Sequence, residues 1–495
     1  MRNEELLRSD FLAAAAAVLA GGFVGCSGPT SISTPSGAPT GSPSAVPTSS
    51  PSPVPTGLTT PAQIAVAATT AGALPPAFAG LSYEKANISS GPFASSDTSL
   101  AGCFRRLGTS LLRIGGNSVD ETTWVGGGAG GTSGEVAPPD VDKLASFLLA
   151  AGWQVLYGIN LGSNTPQNAA AEAAYVAGKL GASLYGFEIG NECDLYSSNG
   201  IRSSTYTFSD FVEEWQIYAS QIVAAAPGSK LTGPASAGNV ENWTVPFASA
   251  EAARIVLVTQ HYYRGNGQSA SSTIAELLMG DPALPGELQA LRGAATSAKI
   301  AAGYRMSETN SFYHGGAPGI SDAYGTALWA LDYMMIGAQN GCAGFNFHGG
   351  GDGTGYTPIA DSNGAVVEVR PEYYGLLFVS MIPTGPLLTV NLQTSLLFSA
   401  YAVAGSDGAT YVVLINKDAT ATAAASISLP ARVSQGTALA LAGVGLNATT
   451  GTTLGGAAVA PNGTWTPTPA TPFTIGASHF ALDVPPAAAL LVRCM

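Results

Sequence analysis

Eight short apolar runs follow one another along this sequence from about Ala77, and helical patterns separate most of them. Apolar residues recur at helical spacing in 140–151, 168–180, 209–226, 287–302 and 321–340. Strand–helix alternation repeated eight times predicts a parallel (β/α)8 barrel, which we place at 77–382. The predicted barrel strands are 78–84, 110–116, 154–160, 184–192, 231–235, 254–263, 304–310 and 343–348.

A barrel of parallel strands also predicts where functional side chains lie, because sites in this fold are built at the C-terminal ends of the strands. Only 10 % of the residues are charged, yet polar residues close most of the predicted strands. Chance would scatter so few polar residues, so their concentration at one end favours a functional site. These residues are Glu84, Asn117, Asn160, Asn191, Glu192, His261, Tyr262, Glu308, Asn310 and His348.

Two of them are glutamates, Glu192 on the fourth predicted strand and Glu308 on the seventh. Either one alone is explained as a helix N-terminal acid or a solvated loop charge. Facing each other across a barrel mouth, they suit glycoside hydrolysis, in which one carboxyl donates a proton and the other attacks the anomeric carbon. A separation of ~5–5.5 Å would indicate a retaining reaction. The amide of Asn191 can bind the sugar 2-hydroxyl in such a site.

Composition narrows the classes of partner. The 495 residues are enough for one large domain and a smaller one, and a net charge of −13 gives no field that would gather nucleic acid. The sequence has no Walker loop, dinucleotide fingerprint or Cys-x-x-Cys pair, so we expect no cofactor. His261, His314 and His348 fit no metal-ligand spacing, and sugar contacts or core packing are expected of them instead of a metal site.

The N-terminus has the pattern of an export signal. Residues 11–24 form an apolar run too short to span a bilayer, and Cys26 follows small residues as in a bacterial lipobox. We therefore expect a signal peptide at 1–25, a lipid anchor at Cys26 and a Pro/Ser/Thr-rich tether at 26–60. The protein is expected to be exported, as a periplasmic or cell-surface lipoprotein or an extracellular protein. Cys103, Cys193, Cys342 and Cys494 are expected to be buried free thiols.

The region after Pro371 has a different pattern. A short helix at 372–381 precedes the predicted strands 395–403, 410–416, 423–429, 438–443 and 488–494. This pattern predicts a β-sandwich at 383–495, which the strand at 61–76 is expected to join. Carbohydrate binding is one reading of such a domain. A domain that packs against the barrel is favoured, because a fold alone does not assign function.

The paired glutamates carry a family resemblance. Asn191-Glu192 and Glu308 are similar to the catalytic positions of clan A, the retaining glycosidases with (β/α)8 barrels. Over about residues 60–495 the chain resembles glycoside hydrolase family 79, the β-glucuronidase and heparanase family. The supporting stretches are GLSYE at 80–84, RIGGN at 113–117, QHYY at 260–263 and SETNSFY at 307–313.

The resemblance implies roles for single residues. Glu192 is expected to be the acid/base and Glu308 the nucleophile, with Tyr262 hydrogen-bonded to Glu308. Glu84 is expected to bind sugar hydroxyls, and Asn117, Asn191 and His348 are further candidates for substrate contacts. Cys193 stands where the clan often has proline, a departure that leaves the carboxylate of Glu192 in place.

The loop at 348–356 bears on the substrate. By composition it is either a flexible Gly-rich connection or a turn that aims backbone N–H groups at an anion. The resemblance implies that Tyr313, Gly355 and Tyr356 bind a sugar carboxylate. The expected function is thus a monomeric, retaining exo-β-glucuronidase acting on carbohydrates with terminal glucuronic acid. The alternatives are a β-xylosidase or β-glucosidase of the same clan, or a non-catalytic glycan-binding lipoprotein.

The number of basic residues near the expected mouth favours exo over endo action. Cleavage inside a long sulfated chain calls for rows of lysine and arginine along the cleft. Only Arg202, Arg264 and Arg370 are candidates there. Release of single terminal residues is therefore expected.

Overall fold

The computed structural model of the chain describes residues 58–93, 98–351, 353 and 355–495. The predicted signal peptide, Cys26 and the tether up to residue 57 lie outside these residues. Residues 58–495 form one compact unit.

The strands and helices are numbered in chain order. The strands are β1 Thr59–Leu74, β2 Ala79–Glu84, β3 Leu111–Gly115, β4 Thr123–Trp124, β5 Glu135–Val136, β6 Gln154–Ile159, β7 Leu184–Ile189, β8 Leu231–Ser236, β9 Ile255–Asn266, β10 Tyr304–Tyr313, β11 Cys342–Gly349, β12 Ile359–Ser362, β13 Ala365–Val369, β14 Gly385–Gln393, β15 Phe398–Ala404, β16 Thr410–Asn416, β17 Thr422–Ser428, β18 Gln435–Ala442, β19 Thr453–Leu454, β20 Phe473–Thr474, β21 His479–Val484 and β22 Ala488–Cys494. The α-helices are α1 Asn87–Ser90, α2 Ser99–Arg106, α3 Pro138–Ala151, α4 Pro166–Leu180, α5 Phe208–Ala225, α6 Val245–Ala250, α7 Ile274–Met279, α8 Leu284–Ser297, α9 Gly325–Gln339 and α10 Pro371–Ser380.

Eight parallel strands close into a barrel in the order β2-β3-β6-β7-β8-β9-β10-β11, which confirms the predicted fold. The helices begin where local chemistry favours a helix start. Thr165 and Thr207 accept hydrogen bonds from backbone N–H groups of the first turns of α4 and α5, and Pro166 opens α4 at a position where no N–H donor is needed. Strands β9 and β10 extend about three residues beyond their predicted ends, and these extensions form part of the barrel mouth.

The residues after the barrel form a domain around a ten-stranded sheet, with the strand order β19-β18-β22-β16-β15-β14-β1-β17-β21 and β20 beside β18. Strand β1 precedes the barrel in sequence but pairs with β14 and β17 of this sheet. Thr59–Leu74 is thus the strand that joins the two parts of the chain.

The central strands of this domain are buried on both faces. Along β16, Val412 and Leu414 pack into the interior of the β-domain, whereas Val413 and Ile415 pack with the barrel core. This alternation follows from the period of two in a strand. One face of the central strands therefore belongs to the barrel core, and the other face belongs to a separate core of the β-domain.

A buried ion pair also joins them. The ammonium of Lys417, after β16, lies 2.6 Å from the carboxylate of Asp332 on α9, and Tyr401 of β15 donates to the same carboxylate at 2.6 Å. The four cysteines Cys103, Cys193, Cys342 and Cys494 are buried and free, as expected. Among the described residues, none of the helices combines the length and apolar character that a membrane crossing requires.

Candidate active site

The chain turns sharply after β7 to present Asn191 and Glu192. Gly190 has φ 79°, and a Cβ there would approach the Cys193 sulfur to 2.5 Å. Glu192 itself has φ 51°, a left-handed conformation that costs energy for a residue with a side chain. Its backbone N–H donates to Ala235 of β8 at 2.9 Å. Neighbouring structure therefore holds a strained backbone in place at this glutamate.

The carboxylate of Asp120 fixes this turn by hydrogen bonds. One carboxylate oxygen accepts from the backbone N–H groups of Leu161 and Gly162 at 3.0 and 2.9 Å, and the other accepts from Asn191 N–H at 3.2 Å and the Tyr196 hydroxyl at 2.7 Å. The side chain is buried. Asp120 thus ties the loops that follow β3, β6 and β7 together directly behind Glu192.

Glu308 lies inside β10, and the pairing of β10 with β9 shifts register between Met306 and Glu308. One carboxylate oxygen of Glu308, one of Glu192 and a ring nitrogen of His261 all lie within 4.8 Å of one another. Carboxyl groups about 5–5.5 Å apart are typical of retaining glycosidases, whereas inverting enzymes need about 6.5–9.5 Å. The two predicted glutamates therefore come together at a separation that fits double displacement.

Positive charge and a hydroxyl surround Glu308. Arg113 donates to one oxygen at 2.6 Å, the Tyr263 hydroxyl donates to the other at 2.8 Å, and a His348 ring nitrogen lies 3.7 Å away. Burial raises the pKa of Glu308, but His348, His261, Arg113 and the Tyr263 hydrogen bond outweigh it and hold the pKa well below its usual range. Glu308 is therefore ionised at neutral pH.

The prediction that Tyr262 binds Glu308 is wrong, because the donor is Tyr263. Successive side chains of a strand point to opposite faces. His261 and Tyr263 face the barrel interior, whereas Tyr262 points outward, where its ring packs on Tyr333 of α9 and its hydroxyl donates to Asp281 at 3.1 Å. Tyr262 is therefore separated from the site by its own strand.

Arg113 is the first residue of the RIGGN stretch at 113–117, and no role was predicted for it from the sequence. Its guanidinium also donates to Glu188 at 2.5 Å and to the Asn191 side-chain oxygen at 2.9 Å, and its side chain is fully buried. One cation thus links Glu308 of β10 with Glu188 and Asn191 of β7 and its following turn. A charged residue inside an apolar strand was the signal that could have identified it.

Glu192 has different surroundings from Glu308. A ring nitrogen of His261 lies 3.0 Å from one carboxylate oxygen, and 16 % of the Glu192 side chain is exposed, against 8 % for Glu308. The carboxyl of Asp194 is close by, and burial raises its pKa to about 6. The more exposed glutamate is therefore the one with access to solvent protons.

Glu84 and His348 form a second pair at the mouth. Glu84 accepts from the backbone N–H groups of Asn117 and Ser118 at 3.3 and 2.8 Å and from the Ser118 hydroxyl at 2.5 Å. A His348 ring nitrogen lies 3.5 Å from it. Burial opposes charge on both groups, but their proximity lowers the pKa of Glu84 and raises that of His348, whose pKa Glu308 also raises. Each group therefore favours the charged form of the other.

Tyrosine rings line the side of the site next to Glu308. The Tyr356 ring lies 6.2 Å from that of Tyr263 and 5.9 Å from that of His348, and the Tyr313 ring lies 6.4 Å from that of Tyr263. Gly355 precedes Tyr356 and is partly exposed. The predicted residues Tyr313 and Tyr356 thus lie next to the tyrosine that binds Glu308, and Gly355 is the sequence neighbour of Tyr356.

The three arginines expected near the mouth each have a carboxylate partner. Arg202 pairs with Glu214 at 3.1 Å, Arg264 with Glu276 at 3.4 Å, and Arg370 with Glu368 at 3.3 Å. Their charges are therefore compensated within the protein.

Glu192, His261 and Glu308 also have the donor atoms of a metal site. Glu308, however, already faces Arg113 and His348, and two positive groups beside one ligand disfavour a further cation. The surroundings fit proton transfer and nucleophilic attack better than metal binding.

Comparison with known proteins gives a consistent picture. No protein-family model matches the chain. A β-glucuronidase of Aspergillus niger is 29 % identical over 290 residues, covering 52 % of this chain and 53 % of that protein. A β-glucuronidase of Neurospora crassa is 26 % identical over 276 residues, covering 48 % and 49 %. The chain therefore spans about half the length of the curated relatives it matches.

Solved structures resemble the whole described fold. A 4-O-α-L-rhamnosyl-β-D-glucuronidase of Fusarium oxysporum has a TM-score of 0.74 at 20 % identity, covering 88 % of this chain and all of that one. A family 51 arabinofuranosidase of Xanthomonas axonopodis pv. citri has a TM-score of 0.64 at 16 % identity with the same coverage. At these identities the likeness concerns the fold.

Proposed function

We propose that this protein is a retaining exo-β-glucuronidase, a glycoside hydrolase that releases terminal β-D-glucuronic acid by double displacement. The observation that carries the proposal is the Glu192–Glu308 pair, with oxygens within 4.8 Å and contrasting surroundings. Both curated relatives are β-glucuronidases, which supports the substrate class.

In the first step, a Glu308 oxygen attacks the anomeric carbon as the bond from that carbon to the glycosidic oxygen breaks. Glu192 donates its proton to the departing oxygen, and a glycosyl ester on Glu308 remains. In the second step, Glu192 takes a proton from water, the water oxygen attacks the anomeric carbon, and Glu308 leaves as a carboxylate. Two inversions give back the β-anomer.

Arg113, Tyr263 and His348 serve both steps. They keep Glu308 ionised for the attack, and they stabilise the carboxylate again when it leaves. Arg113 also fixes Asn191 by its side-chain oxygen, while the Asn191 amide nitrogen has a long contact, 3.4 Å, with the side-chain oxygen of Asn117. That nitrogen is suited to donate to the sugar 2-hydroxyl.

Recognition of the sugar carboxylate is assigned to Tyr313, Tyr356 and the backbone of Gly355, with Glu84 binding sugar hydroxyls. Hydroxyl and amide donors can hold an anion without an ion pair. The carboxylate pairing of Arg202, Arg264 and Arg370 is consistent with recognition that uses no arginine.

The same paired arginines, together with the net charge of −13, favour exo action. A long sulfated polymer would be repelled, most strongly at low salt. Digestion of heparan sulfate should release monosaccharide, and internal fragments would instead indicate endo action without affecting the roles of the two glutamates.

We further propose that the protein is monomeric and exported, with a lipid anchor at Cys26. Labelling with a palmitate analogue tests the anchor, since the wild-type protein should be labelled and a Cys26→Ala variant should not.

The activity is tested with nitrophenyl β-glycosides of glucuronic acid, xylose and glucose. Glucuronide should be hydrolysed fastest, and proton NMR should detect β-glucuronic acid before mutarotation. Glu308→Gln should abolish turnover without unfolding the protein. Preference for xyloside or glucoside would favour the β-xylosidase or β-glucosidase alternative, and failure to hydrolyse any glycoside would favour the glycan-binding alternative.

A further inference from the structure

The side chain of Asn310 holds both ends of the 348–356 loop. Its amide nitrogen lies 2.9 Å from the backbone oxygen of His348 and 2.9 Å from that of Tyr356. Asn310 is fully buried in β10, two residues after Glu308. A single side chain thus connects the beginning and the end of the loop to the strand that carries the nucleophile candidate.

The other contacts of Asn310 fix the orientation of its amide. The side-chain oxygen accepts from the backbone N–H of Ser311 at 2.6 Å and from its hydroxyl at 3.1 Å. The nitrogen must therefore point towards the two loop carbonyls. Those carbonyls need a donor, because a buried carbonyl without one is left with the full cost of losing its hydrogen bonds to water.

Glu372, at the start of α10, is a third neighbour of the Asn310 amide nitrogen. One of its oxygens is 3.1 Å from the Asn310 nitrogen, and the carboxyl is buried. Burial raises the pKa of the Glu372 carboxyl well above its usual range and so favours the neutral acid. A neutral acid is a weaker acceptor than a carboxylate, which leaves the two N–H groups of the Asn310 amide available to the loop carbonyls.

The two ends of the loop carry side chains of the candidate site. His348, near the end of β11, lies beside Glu84 and Glu308, and the Tyr356 ring lies 5.9 Å from that of His348 and 6.2 Å from that of Tyr263. A shift of either end would move His348 or Tyr356 relative to a bound sugar. The xylose ring lacks the C5 substituent, so it would be affected less than glucuronic acid.

We propose that Asn310 is a positioning residue that sets the preference for glucuronic acid by fixing the distance between His348 and Tyr356. This inference rests on the proposed function, since it assigns the carboxylate to the tyrosine side of the site. Asn310 acts through the loop and does not itself contact the sugar.

The test compares Asn310→Asp and Asn310→Ser with a matched pair at Asn416. Asn416 is equally buried, lies in the β-domain, and its amide nitrogen contacts three backbone oxygens at 2.9, 3.1 and 3.0 Å. Asn416→Asp and Asn416→Ser thus remove similar hydrogen bonds away from the site. Melting temperature and kcat/KM on nitrophenyl β-glucuronide and β-xyloside are measured for all four variants.

At Asn310, the ratio of glucuronide to xyloside kcat/KM should fall about tenfold, mainly through a higher KM for glucuronide. At Asn416, the ratio should stay within about twofold of wild type even where the melting temperature falls. A general disturbance of Glu308 would lower both activities equally and leave the ratio unchanged, which would overturn the inference. A wild-type protein without glucuronide activity would instead refute the proposed function.

Discussion

Replacing Tyr263 by phenylalanine isolates the hydroxyl that donates to Glu308, and replacing Tyr262 provides the control. Both tyrosines donate to a carboxylate, Tyr263 to Glu308 at 2.8 Å and Tyr262 to Asp281 at 3.1 Å. They are adjacent in sequence but point to opposite faces of β9. The two variants therefore differ mainly in which carboxylate loses its donor.

The magnitude follows from the type of hydrogen bond. A hydrogen bond to a charged group contributes about 1.5–3 kcal/mol. At about 1.4 kcal/mol per factor of ten, loss of this contact in the transition state lowers kcat/KM by about ten- to hundredfold. Tyr262→Phe should change kcat/KM by less than about threefold, although both variants should melt at a lower temperature.

The pH dependence gives an independent measurement. The Tyr263 hydroxyl stabilises the ionised form of Glu308 and so lowers its pKa. Its removal raises that pKa, and the acid limb of the kcat/KM profile should move to higher pH in Tyr263→Phe only. Equal losses of activity in the two variants, or a larger loss in Tyr262→Phe, would refute the assignment of Tyr263.

Three further predictions concern other parts of the molecule. Glu192→Ala should lose far more activity on alkyl than on nitrophenyl glucuronides and should recover partly with azide, because only proton donation is missing; equal losses would contradict the acid/base role. Asp120→Asn, which places a donor against the N–H of Asn191 or its neighbours, should show the same dependence on the leaving group in weaker form, and a uniform loss would indicate general destabilisation. Lys417→Met leaves buried Asp332 without its cation and should lower stability to denaturant by about 3–5 kcal/mol with an unchanged KM; a normal stability would mean that the pair does not hold the two parts together.

The sequence was sufficient for the barrel and the two glutamates because these features depend on local pattern. Strands β16 and β22 were predicted at the residues where they occur, since burial on both faces produces a run of consecutive apolar residues, 411–415 in β16 and 488–492 in β22. Strand β14 was missed, because it begins with Gly385-Pro386 and is largely exposed. Its identity as a strand depends on pairing with β1, a contact that no local window contains.

Within the site, the limit was the direction of side chains. The period of two along β9 shows that Tyr262 and Tyr263 point to opposite faces, but it does not show which of them points into the barrel. The contact of His261 with Glu192 identifies the inward face, and that contact is visible only in the structure. The role of Arg113 depends equally on tertiary pairing with Glu188 and Glu308. The sequence thus predicts which polar residues stand at strand ends, but not which side chains they pair with inside the barrel.

The position of β1 has a consequence for synthesis of the chain. Pro61 of β1 and its hydrogen-bond partner Thr394 are separated by 333 positions. At about 5–20 residues per second, the ribosome needs roughly 17–67 s to add the residues that separate Pro61 from Thr394. Throughout that time the complete barrel sequence emerges while β1 has no neighbour. A chain truncated after the barrel would lack the partner strands of β1 altogether. Ile64 and Val66 would then stay exposed on an unpaired strand.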